Sequence, residues 1–356
     1  MERRSPDVLI LGGGLMGLAI AWELAEQGAR VQVLGRNLQE AAGRAAAGML
    51  APEAEGLPPG PFLELALASR QMYGNWVAKL EALTGESVDY WPCGILKPVC
   101  GNSPVEDMGP GQSLRPEVEI LQPGLGPGVV AAHWYPQDGQ VDNRRLVAAL
   151  DQGCRLRGVA LQTGEAHRLV VEDDRVVAVE TSAGRMEADQ IVLTAGAWCR
   201  TLLNIPVFPR KGQMLALRPP QGVSGLGRVV FGRAYLVPRR DGRLVIGATS
   251  EDVGFTPGLT PAGLGYLLQE AQWLYPALAD WTVEECWWGY RPTTPDELPI
   301  LGPSPYENLV LATGHYRNGV LLAPITAQLI AEGLVRRRPH PQLAAFRWNR
   351  FSAPAP

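Results

Sequence analysis

Two glycine-bounded stretches carry the residues most able to do chemistry. Near the start, Gly12, Gly14 and Gly17 are spaced G-x-G-x-x-G directly after an apolar run, Val8 to Leu11. Residues without a side chain at a strand-to-helix junction allow the tight turn, the close approach of backbone to a pyrophosphate, and the packing of helix on strand. Near the end, residues 314–324 read GHYRNGVLLAP, placing His315 and Arg317 in a loop that runs straight into an apolar helix starting near Asn318 and Gly319. The first-turn N–H groups of such a helix lack partners and attract negative charge or an electron-rich ring.

These stretches need elements to hold them. Residues 8–11 read as a buried strand, 15–27 as a helix stopped by Gly28, and 30–34 as a second strand, so the chain opens with a β-α-β unit. In that setting the glycine pattern predicts dinucleotide binding. The end of the second strand should carry an acidic residue for ribose hydroxyls, yet Gly35 and Arg36 stand there: either Glu40 or a backbone group substitutes, or the ribose is held less tightly, or Arg36 meets a phosphorylated ribose.

Farther along, residues 62–84 read as a helix, 101–130 as a long Pro- and Gly-rich surface excursion, and 143–150 as a short helix. Short strands are expected around 168–171 and 175–181, then a buried strand in DQIVLTAGAW that ends in Gly196. AYLVPRRDGRLVIGATS reads as a hairpin closed by Asp241 and Gly242 as a two-residue turn. With Arg240 facing Arg243, Tyr235 would face Ala248, and Tyr235 and Ser250 would lie diagonally on one sheet face.

Composition narrows the function. At 356 residues with 46% hydrophobic content, two lobes with full cores are expected. A formal charge of -4 gives no basic field, so nucleic acid is not expected as a partner, and Arg336 to Arg338 read as a solvated helix end. Five scattered cysteines without C-x-x-C spacing point to reduced thiols in a cytoplasmic protein. Four histidines with no i, i+3 or i, i+4 pair argue against a metal site. The arginines and apolar run at the start mimic a signal peptide, but glycines interrupt the run and Glu23 and Glu26 close it, so neither a cleaved leader nor a membrane span is expected.

AAAGMLAPEAE (45–55), TAGAW (194–198), YLVPRRDGRLVIGATSE (235–251), GYRPTTPDELPILG (289–302) and ATGHYRNGVLLAP (312–324) occur in this order. The order and spacing resemble the D-amino-acid-oxidase-like flavoproteins, and among them the glycine oxidases of the thiazole-biosynthesis type. The resemblance spans nearly the whole chain and is weakest at 101–130. It implies an α/β fold: a Rossmann-like FAD-binding lobe of glutathione-reductase type built from 1–84, 140–204 and 290–356, and an α+β substrate lobe on an antiparallel or mixed sheet from 85–139 and 205–289.

Carried over by position, non-covalent FAD would meet Gly12, Gly14, Leu15, Met16, Gly17, Gly35 and Arg36, then Ala42, Gly43, Arg44, Ala47, Gly48 and Met49. Arg44 replaces a hydroxyl residue usual in relatives. Ala166 would lie near the adenine, with Gly196 also on the cofactor. His315, Tyr316, Arg317, Asn318, Gly319, Val320 and Leu321 would border the isoalloxazine, with His315 a hydrogen-bonded structural residue.

Tyr235, Arg291 and Arg317 map to the family's substrate residues. A guanidinium fork matches a carboxylate with two parallel hydrogen bonds. Ser250, where relatives can carry Met, leaves room for substrates beyond glycine. The resemblance implies oxidation of a small amino acid or amine, with oxygen as acceptor and peroxide as product, and no protein acid or base is required. A homo-oligomer is compatible with the sequence.

The rivals are a sarcosine or D-amino-acid oxidase and a dehydrogenase with another electron acceptor. Beside them stand a non-catalytic nucleotide-binding module and an NAD-dependent enzyme. Sarcosine oxidases attach their flavin through a cysteine where this chain has Gly289.

Overall fold

The computed structural model describes residues 6–36, 40–101 and 112–351. A six-stranded sheet runs, in spatial order, Ile300–Pro303, Leu309–Thr313, Gln190–Leu193, Val8–Leu11, Val31–Gly35 and Ala160–Thr163. Only the first pair is antiparallel. Its central strands are apolar at nearly every position because both faces are covered.

Period-two alternation sorts their side chains between two cores. Val8 and Ile10 join a core with helices Leu15–Glu26, Pro61–Thr84, Asn143–Leu156 and Gly319–Val335. Leu9 and Leu11 face the other way, toward the three-stranded meander of Ala166–Glu172, Arg175–Thr181 and Gly184–Met186. The opening β-α-β unit therefore has the form its glycines and apolar runs predict.

An eight-stranded mixed sheet makes the other layer. Its order is Thr282–Thr293, Phe208–Arg218, Leu244–Gly247, Tyr235–Pro238, Val229–Phe231, Ile95–Cys100, Val129–Tyr135 and Gln112–Leu114. Helix Pro261–Leu274, started by Pro261 and capped by the Thr260 hydroxyl, buries Leu267, Ala271 and Leu274 on one face of this sheet. The opposite face presents Met214, Tyr235 and Val245 to Ala47, Ala51 and Ala54 of the first layer. That apolar seam brings the two sheets together at the cleft.

Three expectations need correction. The hairpin closes with three residues: Arg239 and Arg243 pair across the turn at 2.7 Å, and Gly242 sits at φ 89°. A third loop residue in the left-handed region is a favoured hairpin closure, and it shifts the register by one, so Tyr235 pairs with Gly247 and not Ala248. The expected excursion at 101–130 lies partly outside the described residues; its remainder forms the edge strand Gln112–Leu114, helix Arg115–Leu121 and the start of Val129–Tyr135. The short helix at 143–150 extends to Leu156, its first turn held by the Asp142 carboxylate. Strand Thr282–Thr293 runs without a break through the expected lobe boundary after residue 289, so it would serve both lobes.

Candidate active site

One cleft runs from the carboxyl edge of the six-stranded sheet to the seam between the layers. At the first end, the glycine loop is shaped by direct backbone packing. A Cβ on Gly12 would lie 2.5 Å from the Thr194 carbonyl, and one on Gly17 would lie 1.8 Å from the Gly12 oxygen. The helix that follows starts at Gly14 with no side-chain cap, so its N–H groups open into the cleft. Leu15, Met16, Gly35 and Arg36 line the same end, joined by Ala166 and Gly196. Gly17 does not line the cleft; its part is to let the helix approach the loop.

The wall beside this loop is Ala42–Ala45, a short helix, followed by Ala47, Gly48 and Met49. Asn143 donates its side-chain amide to the Gly43 and Arg44 carbonyls at 2.8 and 3.0 Å, and the Trp287 indole N–H reaches the Ala45 carbonyl at 2.9 Å. Arg44 itself points elsewhere and does not line the cleft.

A second helix start enters from the other side. Gly314 at φ 72° and Tyr316 at φ 47° shape the loop, and the Tyr316 N–H donates to the Pro292 carbonyl at 2.9 Å. Helix Gly319–Val335 then begins without a side-chain cap from Asn318, with Gly319 and Val320 on the cleft. Tyr73 and Ser69 donate their hydroxyls to the Val320 and Leu321 carbonyls, which ties this helix start to Pro61–Thr84. Leu321 packs in the core and Asn318 faces an adjoining cavity, so neither lines the cleft.

His315 is buried, with Nε2 3.2 Å from the Thr326 hydroxyl. Burial lowers its pKa to about 3, so the ring is neutral at neutral pH. It is a structural histidine that also borders the cleft.

At the seam end the structure brings Tyr235, Arg291 and Arg317 together on one wall. Each of the first two lies across a glycine of a neighbouring strand. A Cβ on Gly247 would be 2.6 Å from the Tyr235 ring, and one on Gly212 would be 2.4 Å from Arg291 Nη1. Arg291 Nη1 donates to the Thr249 carbonyl at 3.1 Å, which fixes the fork. Burial raises the pKa of the Tyr235 phenol against the pull of Arg291 and Arg317, so it remains a donor. Ser250 is a correction: it is exposed and outside the lining, because the register pairs Tyr235 with Gly247 and so takes Ser250 off the face that Tyr235 shares.

Sequence reasoning missed Glu55, Gly212 and Gly247. Glu55 lies 3.9 Å from Arg317 Nε and is nearly buried, and burial raises its pKa despite Arg317, Asn318, Arg291 and Lys97. Its loop is pinned by Arg70, which donates to Glu53 at 2.5 Å and to the buried Asp138; Asp138 also accepts the Ala54 N–H at 2.8 Å. The second of two acids, Glu53 and Glu55, after the apolar run AGMLAP was the available signal for Glu55. Glycines inside strand patterns, which mark close approach, were the signal for Gly212 and Gly247.

The cleft suits FAD. It has two uncapped helix starts, one beside the glycine loop and one near Arg317, matching an elongated ligand with phosphates at one end and an electron-accepting ring at the other. No cysteine lines it among the described residues, and a Cβ at Gly289 would lie 2.4 Å from that of Ala45, so a covalent link there is sterically barred. Among the described residues, no helix is long and apolar enough to cross a membrane.

Comparison with known proteins agrees with this geometry. The family described as FAD dependent oxidoreductase (DAO) matches residues 7–333. The chain is 52% identical over 356 residues to the bifunctional protein ThiO/ThiG of Synechocystis, covering 97% of this chain and 54% of that one. It thus spans about half the length of such relatives. It is 33% identical to the glycine oxidase of Geobacillus kaustophilus over 97% of both chains. The crystal structure of glycine oxidase from that organism superposes with a TM-score of 0.91, covering 98% of this chain and 100% of that one, at 32% identity. The match over residues 7–333 and the glycine-lined cleft together place this chain in the DAO family of FAD-dependent oxidoreductases.

Proposed function

We propose that this chain oxidises glycine, or another small amino acid, at its α-carbon to the imine and then the keto acid, with ammonia and hydrogen peroxide as the other products, in service of thiazole formation for thiamine. The observation that carries this reading is the clamp of Tyr235, Arg291 and Arg317 with one carboxylate, Glu55, at the seam end of the cleft. Bound FAD would supply the acceptor for the two electrons and the hydrogen leaving the α-carbon, and would pass them to oxygen.

Arg291 grips the substrate carboxylate through a fork already oriented by Thr249, and Tyr235 adds a third donor. Arg317, held by Glu55, adds positive charge at the mouth. The substrate amine must be neutral when its neighbouring C–H bond breaks. Glu55 is suited to meet the ammonium and hold its proton, because burial raises its proton affinity. Glu55, Tyr316 and Arg317 also line the adjoining cavity, which gives a route from solvent to the clamp. The expected lobes, with the cofactor and substrate residues assigned to each, belong to this proposal.

Peroxide measured from the holoenzyme with glycine, sarcosine and a panel of D- and L-amino acids tests the reading. Arg291→Ala should lower kcat/KM for glycine by roughly tenfold to two-hundredfold, since a charged hydrogen-bonded pair contributes ~1.5–3 kcal/mol. An unchanged value removes Arg291 from the site, and no peroxide from any substrate removes the oxidase assignment.

A further inference from the structure

Gly35 leaves the second strand without the acid that would hold the adenosine ribose, and the fold leaves no room for one. A Cβ on Gly35 would lie 2.8 Å from the Gly13 nitrogen and 2.9 Å from its Cα, so the phosphate loop itself presses on that position. The next parallel strand offers a carboxylate in its place. Thr163 is the register partner of Gly35, and the Gly164 N–H donates to the Gly35 carbonyl at 2.8 Å.

Glu165 follows, just past the strand end. Its backbone is fixed at both sides: its N–H donates to the Ser182 hydroxyl at 2.9 Å, and its carbonyl accepts the Ser182 N–H at 2.9 Å. Its carboxylate stands 3.4 Å from Arg36 Nη1, and the Arg36 guanidinium lies 4.3 Å over the Trp198 ring. Glu165, Arg36, Trp198 and Gly35 line the same end of the cleft.

We propose that Glu165, carried by the neighbouring strand and positioned by Arg36, is the carboxylate that accepts the hydroxyls of the adenosine ribose of FAD in this chain. A carboxylate accepts only, and vicinal hydroxyls donate, so the chemistry matches. The carboxyl edge of an open parallel sheet is where such ligands bind. Arg36 engages one Glu165 oxygen at hydrogen-bond distance and leaves acceptor capacity on the carboxylate. Glu40 also pairs with Arg36, at 3.6 Å, but its side chain is more exposed than that of Glu165, 58% against 49%, and Ser182 fixes only the backbone of Glu165.

The inference rests on FAD binding and not on the choice of substrate. The test measures flavin release from diluted holoenzyme by the rise in flavin fluorescence, for the wild type, Glu165→Gln and Glu40→Gln. FMN, which lacks the adenosine, is titrated into the FAD-stripped full chain as a control for folding. Glu165→Gln should weaken FAD roughly tenfold to a hundredfold and leave FMN affinity unchanged, with Glu40→Gln matching the wild type. Unchanged FAD affinity in Glu165→Gln, equal loss of FAD and FMN, or a loss confined to Glu40→Gln overturns it. Flavin retention is read apart from turnover, so normal retention without peroxide removes the oxidase reading and spares this one.

Discussion

Single side chains at this site act through the charge state that burial imposes on them. His315 titrates near 3 in the fold against an ordinary 6.5, so between those values the unfolded chain binds more protons than the folded one. Stability from this residue is present above pH 6.5 and is lost as pH falls toward 3, with a limiting slope of ~1.4 kcal/mol per pH unit. Replacing it by Gln should flatten that part of the denaturant-midpoint profile; a profile identical to wild type would mean that His315 does not need to stay neutral. Glu55→Gln removes the negative partner of Arg317 and, under the proposed function, the acceptor for the substrate ammonium. Its KM for glycine should rise roughly tenfold, while inhibition by acetate, which has no ammonium, should change little. Equal losses for both ligands would assign Glu55 to holding Arg317 alone.

The elements matter because they set how closely backbones approach. Arg291 and Tyr235 reach the cleft only by lying across Gly212 and Gly247, so the clamp depends on two positions that hold no functional group. Gly212→Ala would put a methyl 2.4 Å from Arg291 Nη1 and should displace the fork. A shift of about 1 Å is enough to cost ~100-fold in kcat/KM, with little change in FAD retention. Retained activity would show that the fork does not depend on that approach. The loop bearing Glu55 depends in turn on Arg70 from helix Pro61–Thr84, which is buried between Glu53 and Asp138. Arg70→Met leaves Asp138 without its cation, and breaking such a buried pair costs ~3–5 kcal/mol. The expected result is a lower unfolding midpoint together with a raised KM for glycine, and an unchanged midpoint would contradict the burial argument.

At the scale of the molecule, the cleft is where two sheets meet, so a ligand filling it ties both layers to one folded state. FAD at a hundredfold excess over its Kd should add about 2.7 kcal/mol to stability, read as a higher melting temperature for reconstituted than for stripped protein. A melting temperature indifferent to FAD would mean that the folded chain does not bind it in preference to the unfolded one. The parallel sheet, its opening helix and the glycine loop were legible in the sequence because hydrophobic period and glycine spacing are local signals. The register of the hairpin at Arg239 to Arg243 was not, since Asp-Gly serves both two- and three-residue loops and one residue of slip moved Ser250 out of reach. By itself the sequence determined which residue types are available: glycines at the strand-to-helix turn, guanidinium groups able to pair with a carboxylate, and an apolar helix with an open start. Only the tertiary structure decided which of them meet, placing Glu55 beside Arg317, Arg291 over Gly212 and Glu165 beside Arg36. Those partners are 262, 79 and 129 positions apart in the chain, and contacts at such separation follow from sheet register and layer packing, which no local pattern encodes.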